Sequence, residues 1–221
     1  QVNAGEVVAI IGPNGAGKTS LVRALTGELT PSNGSILFND RPLSDFDLNE
    51  RARQLAVLAQ HTELNFPFSI ADVVHLGRIP HASGTIDDNR IVEETLAAVD
   101  MSERAQQLYP QLSGGEKLRV QLARVMAQVW RAEDAPVRLM ILDEPTASLD
   151  VSHSRQLMRL VRKLAQQGMG IIMIVHDFNL AARYADHIVV LKNGKLAAAD
   201  TPEKVITETN MLDFFDVETH V

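Results

Sequence analysis

Two glycine-bearing stretches in this chain have the composition to hold anions, and a pair of adjacent acids follows both. The first is Gly12-Pro13-Asn14-Gly15-Ala16-Gly17-Lys18-Thr19, with Ser20 next in line. Its spacing matches a loop that cradles the phosphates of a nucleoside triphosphate. Glycines there let the N–H groups from about Gly15 to Thr19 turn inward, because no side chain blocks a phosphate oxygen. Lys18 then meets the β/γ charge, and the Thr19 hydroxyl suits Mg²⁺. The second stretch is Leu112-Ser113-Gly114-Gly115-Glu116. It opens a predicted helix, whose first N–H groups and positive dipole end favour a second anion. Asp143 follows four apolar residues, at the carboxyl end of a predicted strand where parallel sheets gather ligands. It is expected to hold Mg²⁺ through water. Glu144 points elsewhere as the next residue, and a carboxylate there can orient or deprotonate an attacking water.

The elements that must carry these groups are legible from periodicity. Val7 to Ile11 is a short buried strand, and the phosphate loop feeds a helix with Leu21, Val22 and Leu25 on its apolar face. Gly34 to Pro42 reads as an extended excursion turning at Asn39-Asp40, and Leu55 to Leu58 as a strand leading to Gln60. Between them and the second glycine pair, Ile70 to Leu76 and Ile91 to Val99 have helical spacing, separated by a linker with Pro80, Gly84 and Asp87-Asp88. Residues 61–111 therefore read as a small helical insert in an α/β core, projecting away from the sheet. Leu118, Leu122, Val125 and Val129 form one helical stripe, Leu139 to Leu142 a fully apolar strand, and Leu157, Leu160, Val161 and Leu164 a further helix. Gly168 to Gly170 closes that helix before the strand Ile171 to Val175. Ile188 to Leu191 and Leu196 to Ala199 flank Asn193-Gly194, a strong hairpin signal. Strands alternating with helices predict a mostly parallel sheet covered on both faces. Phe214-Phe215 is expected to anchor a final helix.

With 221 residues, 45 % hydrophobic and 22 % charged, the chain can build one large domain or two modest ones. A net charge of −7 without a basic run argues against nucleic acid as partner. Absence of cysteine excludes disulfides. The longest apolar runs fall far short of the roughly 20 residues that a membrane-spanning helix needs. His61, His75, His81, His153, His187 and His220 show no i, i+4 pair and no cysteine beside them, so they read as scattered surface histidines rather than metal or haem ligands.

The order of phosphate loop, Leu-Ser-Gly-Gly-Glu and Asp143-Glu144 resembles the nucleotide-binding subunit of ATP-binding-cassette (ABC) transporters, from Gly5 to about Leu196. The resemblance implies an α/β P-loop NTPase cassette. Residues 1–60 and 112–221 would form a RecA-like ATPase core with an antiparallel β part, and 61–111 a helical subdomain leading to the signature. It implies ATP and Mg²⁺, with ATP held by Gly12 to Ser20. Gln60 would contact the metal or water and link the insert to the γ-phosphate, and His176, closing a strand, would hydrogen-bond that phosphate. Thr19, Gln60 and Asp143 would be the metal residues, and Glu144, His176 and Gln60 the catalytic ones. In the family two subunits pack head to tail, so Ser113, Gly114 and Gly115 would grip the nucleotide held by Lys18 of the other copy. Ser148-Leu149-Asp150 matches the loop crossing that seam, although Asp150 could equally cap the next helix. Related cassettes carry an earlier strand and an adenine-stacking aromatic, so the N-terminal segment is expected to lie upstream of Gln1.

Separate cassettes are typical of bacterial importers. The stretch Ala71 to His81 looks like the iron-siderophore, haem and cobalamin branch, and Val125 to Pro136, with Gln128, Val129, Trp130 and Arg131-Ala132-Glu133-Asp134, resembles haemin-import subunits. The implied protein is a homodimer beneath two integral membrane subunits, on the cytoplasmic face of the inner membrane, served by a periplasmic binding protein. The membrane subunits would dock on exposed turns from Leu64 to about Gly84. Siderophore or cobalamin are alternative cargoes. A cassette of DNA repair would need long coiled coils, absent from the heptad pattern between Gln60 and Leu112. A ribosome-acting cassette factor would need two phosphate loops, and only one is present.

Overall fold

The computed structural model describes residues 1–60, 64, 66–131, 133–135 and 137–216; His61, His220, Ala132 and Pro136 lie outside them. The first strand, β1 (Val7–Ile11), is buried throughout and runs through the glycine loop into α1 (Lys18–Leu25). Next come β2 (Leu37–Phe38) and β3 (Arg41–Pro42), an antiparallel pair. Asn39 (φ 50°) and Asp40 (φ 58°) make the left-handed turn between them, as a two-residue hairpin loop requires. A helix absent from the sequence reading follows, α2 (Leu48–Gln54), capped by Asp47 accepting from the Glu50 N–H. It buries no residue, so it leaves no apolar stripe to find.

The core then alternates. It runs β4 (Leu55–Leu58), α3 (Ile70–His75), α4 (Thr85–Ala98), α5 (Gly114–Gln128), β5 (Leu139–Asp143), α6 (Val151–Gln166), β6 (Gly170–Ile174) and α7 (Phe178–Tyr184). The chain closes with β7 (His187–Lys192), β8 (Lys195–Asp200), α8 (Pro202–Val205) and α9 (Glu208–Phe215). Six strands form one sheet in the order β4-β5-β6-β1-β7-β8, parallel except for β8. Asn193 (φ 52°) and Gly194 (φ 73°) form the predicted hairpin turn between β7 and β8.

Alternate strand residues face opposite sides. Val7, Ala9, Ile11, Met140, Leu142, Ile171 and Met173 join the larger core under α5 and α6, while Ile10, Ile141, Ile172 and Ile174 meet Val22 of α1. Both faces are covered, which is why these strands read as continuous apolar runs. The chain is thus an α/β fold with a mostly parallel sheet, as expected. On one side α3 and α4 pack against α5, with α3 started by a Ser69–Asp72 capping box. Between Gln60 and Leu112, the longest described helix is α4 with 14 residues, which leaves no room for a coiled-coil arm there.

Two expectations for this region fail. Asp87 and Asp88 do not form a linker but stand in the first turn of α4, where carboxylates complement the helix dipole. Nor is Arg78 on an exposed turn: it is 3 % exposed. Its guanidinium donates to Asp88 (2.9 Å), the Ala127 carbonyl (2.7 Å), Ser83 (2.8 Å) and Asp134 (3.1 Å). The reason is close packing of helix against helix. At Gly77 a Cβ would stand 2.1 Å from the Arg124 carbonyl oxygen, so the following Arg78 sinks between α4 and α5 and must be paired there. The large apolar residues exposed in this segment are Phe66, Phe68 and Ile79.

Candidate functional site

Gly17 begins α1 in the left-handed region (φ 97°) and provides no side-chain cap. As a result, among the described residues, the N–H groups of Gly15, Gly17, Lys18, Thr19 and Ser20 have no acceptor within the protein. That is a cluster of donors suited to phosphate oxygens. Lys18 folds across the same loop, its Nζ donating to the carbonyls of Gly12 (2.8 Å) and Pro13 (3.0 Å). Gly12 is required for a different reason than expected: a Cβ there would lie 2.3 Å from the Leu191 carbonyl oxygen, so it lets the loop seat on β7. The hairpin turn after β7 also holds the loop, through the Gly194 N–H on the Ala16 carbonyl at 3.1 Å.

Beside this loop, Glu144 takes two hydrogen bonds on its carboxylate. Gln60 donates to one oxygen at 2.7 Å, and His176 Nε2 lies 2.6 Å from the other. The strand order explains the meeting. β4, β5, β6 and β1 are consecutive in the sheet and parallel, so the residues after their carboxyl ends, Gln60, Glu144, His176 and the Lys18 loop, converge on one edge. Glu144 itself adopts a left-handed backbone (φ 51°) with its N–H on the Ile174 carbonyl at 3.1 Å. A non-glycine residue rarely stays there without support from its surroundings. Burial lowers the Lys18 pKa, opposed by the charges of Glu144 and Asp143. The amide nitrogen of Gln60 is taken by Glu144 while its oxygen is not. Gln60, the Thr19 hydroxyl and Asp143 thus offer the hard oxygen donors that suit Mg²⁺.

The second glycine pair is built differently. Ser113 caps α5, accepting from the Glu116 N–H, and Glu116 accepts from the Ser113 N–H at 2.8 Å and hydroxyl at 2.8 Å. Arg104 pairs with the other Glu116 oxygen, and chiefly this pairing pulls the Glu116 carboxyl down to about 2. Glu116 had no assigned role in the sequence reading, yet Ser113-x-x-Glu116 is a capping-box pattern that could have given one. A Cβ on Gly115 would come within 3.3 Å of Ser148 and Leu149, which brings the second glycine pair against the loop ending in Asp150. Asp150 caps α6, accepting from the His153 N–H at 2.9 Å and facing His153 Nδ1 at 2.8 Å. Among the described residues no hydrogen bond joins Ser113 to Gly115 with the Lys18 loop. His81 is not a surface histidine: its side chain is 5 % exposed and faces the Gln128 carbonyl at 2.8 Å. Burial is the main reason its pKa is lowered.

The chain is similar to proteins of one family. Residues 1–147 match the family model described as ABC transporter. The hemin import ATP-binding protein HmuV of Pseudomonas entomophila is 47 % identical over 221 residues, covering 100 % of this chain and 86 % of that protein. The protein of the same name from Hahella chejuensis is 42 % identical over the same shares. Among solved structures, an ATP-binding subunit of an ABC transporter superposes with a TM-score of 0.80 at 26 % identity, covering 92 % of this chain and 82 % of that one. An inward-facing putative metal-chelate type ABC transporter shares the fold at a TM-score of 0.82 and 24 % identity, over 98 % and 80 %.

Proposed function

Because the chain belongs to the ABC transporter family, we propose that this ATP hydrolase energises haem import across a bacterial inner membrane, working with a second copy of itself. The observation that carries the chemistry is the single carboxylate of Glu144 held between Gln60 and His176 beside Lys18. In this reading the free N–H groups of Gly15, Gly17, Lys18, Thr19 and Ser20, in the loop from Gly12, hold the phosphates of ATP, and Lys18 leaves the Gly12 and Pro13 carbonyls to neutralise them. Glu144 accepts the proton of the attacking water while Gln60 and His176 fix its orientation. Thr19, Gln60 and Asp143 hold Mg²⁺, which supplies charge neutralisation at the phosphates when bound.

Ser113, Gly114 and Gly115, with Asp150 beside them, complete the site of the second copy, which is why one chain carries two anion cradles. The division into a core (1–60 and 112–221) and a helical subdomain (61–111) is supported by the described strands, which all lie in the core segments, while α3 and α4 pack on α5 where the two parts meet. Two integral membrane subunits would dock on the surface near Phe66 and Ile79 and hold the chain on the cytoplasmic face of the membrane, with a periplasmic binding protein delivering cargo. No described helix is long and apolar enough to cross a membrane itself. Haem is favoured over ferric siderophore or cobalamin by the names of the relatives.

Two experiments test this. ATPase activity of the assembled transporter should rise with haem-loaded binding protein; a rise with a siderophore or cobalamin alone would move the cargo. For the shared site, linked dimers are compared. With Lys18→Ala and Ser113→Arg on the same subunit, both sites are damaged; with one change on each, one site stays whole. Nucleotide trapping should survive only in the second arrangement, and equal trapping in both would overturn the shared site.

A further inference from the structure

Helix α9 touches two segments that flank the nucleotide site, at Phe178 and at Lys192, without contributing a residue to the site. On one side Phe215 packs edge-on against Phe178, with ring centroids 4.7 Å apart at 65°. Phe178 is the first residue of α7, whose cap is Asp177, accepting from the Asn179 N–H at 2.8 Å. His176 is the residue before that cap, two residues from Phe178, and meets Glu144 at 2.6 Å. On the other side, Lys192 Nζ donates to the Asp213 carbonyl of α9 at 2.5 Å. Lys192 ends β7, between Leu191, on which Gly12 seats, and the Asn193-Gly194 turn that holds the Ala16 carbonyl.

We propose that α9 is a brace that sets the distance between the phosphate loop and the hydrolytic carboxylate, through Phe215 to the His176 loop and through Lys192 to the Gly12–Ala16 loop. Phe215 and Lys192 are positioning residues, since neither touches the reacting atoms. The physical case is leverage. Each contact lies one or two residues from a group whose placement matters at the scale of an ångström, and such displacements cost up to about 10²-fold in rate. The aromatic pair contributes directional packing beyond its buried area, and the lysine donates to a carbonyl in the last turn of α9, where carbonyls need partners from outside the helix ladder.

The inference rests on the assignment of His176 and Lys18 above, and the test separates the two. Steady-state ATPase kinetics are measured on the full chain carrying Phe215→Ala, Phe215→Tyr, Lys192→Ala or His176→Ala, each checked for its folded fraction. Phe215→Ala should lower kcat about 10-fold with KM for ATP within about twofold, because only the hydrolytic side moves. Phe215→Tyr, which keeps the ring, should recover most of that loss. Lys192→Ala should raise KM for ATP severalfold with a smaller change in kcat. If Phe215→Ala does not fold, Phe215→Leu carries the same expectation. A Phe215→Ala chain with the parental kcat, alongside an inactive His176→Ala, overturns the brace alone. Equal loss in kcat and folded fraction, not recovered by Phe215→Tyr, also overturns it. Parental turnover in His176→Ala would instead overturn the site assignment on which the brace depends.

Discussion

The N-termini of α1 and α5 both begin with small residues and both invite an anion, yet they differ in what they leave unbonded. At α1, Gly17 supplies no cap, so several N–H groups stay unsatisfied by the protein and Lys18 covers the loop carbonyls. At α5, Ser113 and Glu116 close a reciprocal box, and Arg104 anchors Glu116 from outside. The first end is built for a ligand and is poorly satisfied without one. The second is stable by itself and has only part of its donor set to offer. One terminus therefore has the donors of a whole phosphate cradle, and the other can only supplement a cradle supplied elsewhere. This is the physical basis for reading the site as shared between copies.

The comparison breaks most visibly at Lys18. Lys18→Ala should leave the N–H cluster of α1 without its cation, and both nucleotide binding and turnover should fall to background. Parental ATPase activity would mean that α1 is not the principal cradle. Next in size is Glu144→Gln. Loss of a general base costs about 10²- to 10⁴-fold, while nucleotide binding survives, because the amide keeps its shape and removes a negative charge near Lys18. The variant should accumulate as an ATP-loaded dimer by size analysis, and a parental turnover rate would remove the base role.

At the α5 end the effects should be smaller and should fall on stability. Ser113→Ala removes one half of the capping box at a cost of about 1 kcal/mol, visible as an earlier denaturation midpoint. The same change at Gly17 has no cap to lose, so any penalty there comes from its left-handed backbone. The smallest effect is a dependence on pH. The Glu116 carboxyl is held at about 2 in the folded chain against an ordinary 4.5. Being depressed, it stabilises the fold fully above about pH 4.5, and that contribution fades as pH falls towards 2. Glu116→Gln should flatten this part of the stability profile, whereas an unchanged acid limb would show that the Arg104–Glu116 pairing is worth little.

Much of the site is a matter of local order and was legible in the residues. The phosphate loop, the alternation of apolar runs with helical stripes, the turns at Asn39-Asp40 and Asn193-Gly194, and the strand ends at Asp143 and before His176 all follow from spacing and backbone preference. Short-range rules suffice there, because each feature is decided within a few residues. Helix α2 escaped notice because it buries nothing, whereas α7 buries only Ala181 and Tyr184, a single i, i+3 pair that makes a weak stripe. The resemblance to a known family supplied roles for Gln60 and His176 that isolated residues could not have revealed.

The tertiary structure alone decided the rest. Only the strand order shows that Gln60 and His176, 84 and 32 residues from Glu144, meet on one carboxylate. Only packing distances explain why Gly12 must be glycine against Leu191, why Arg78 is buried, and why α9 reaches both sides of the site. The sequence carries the chemical groups and the local turns that present them. Contacts between segments far apart in the chain come from a parallel sheet whose spatial order differs from its chain order, and periodicity contains no record of that order.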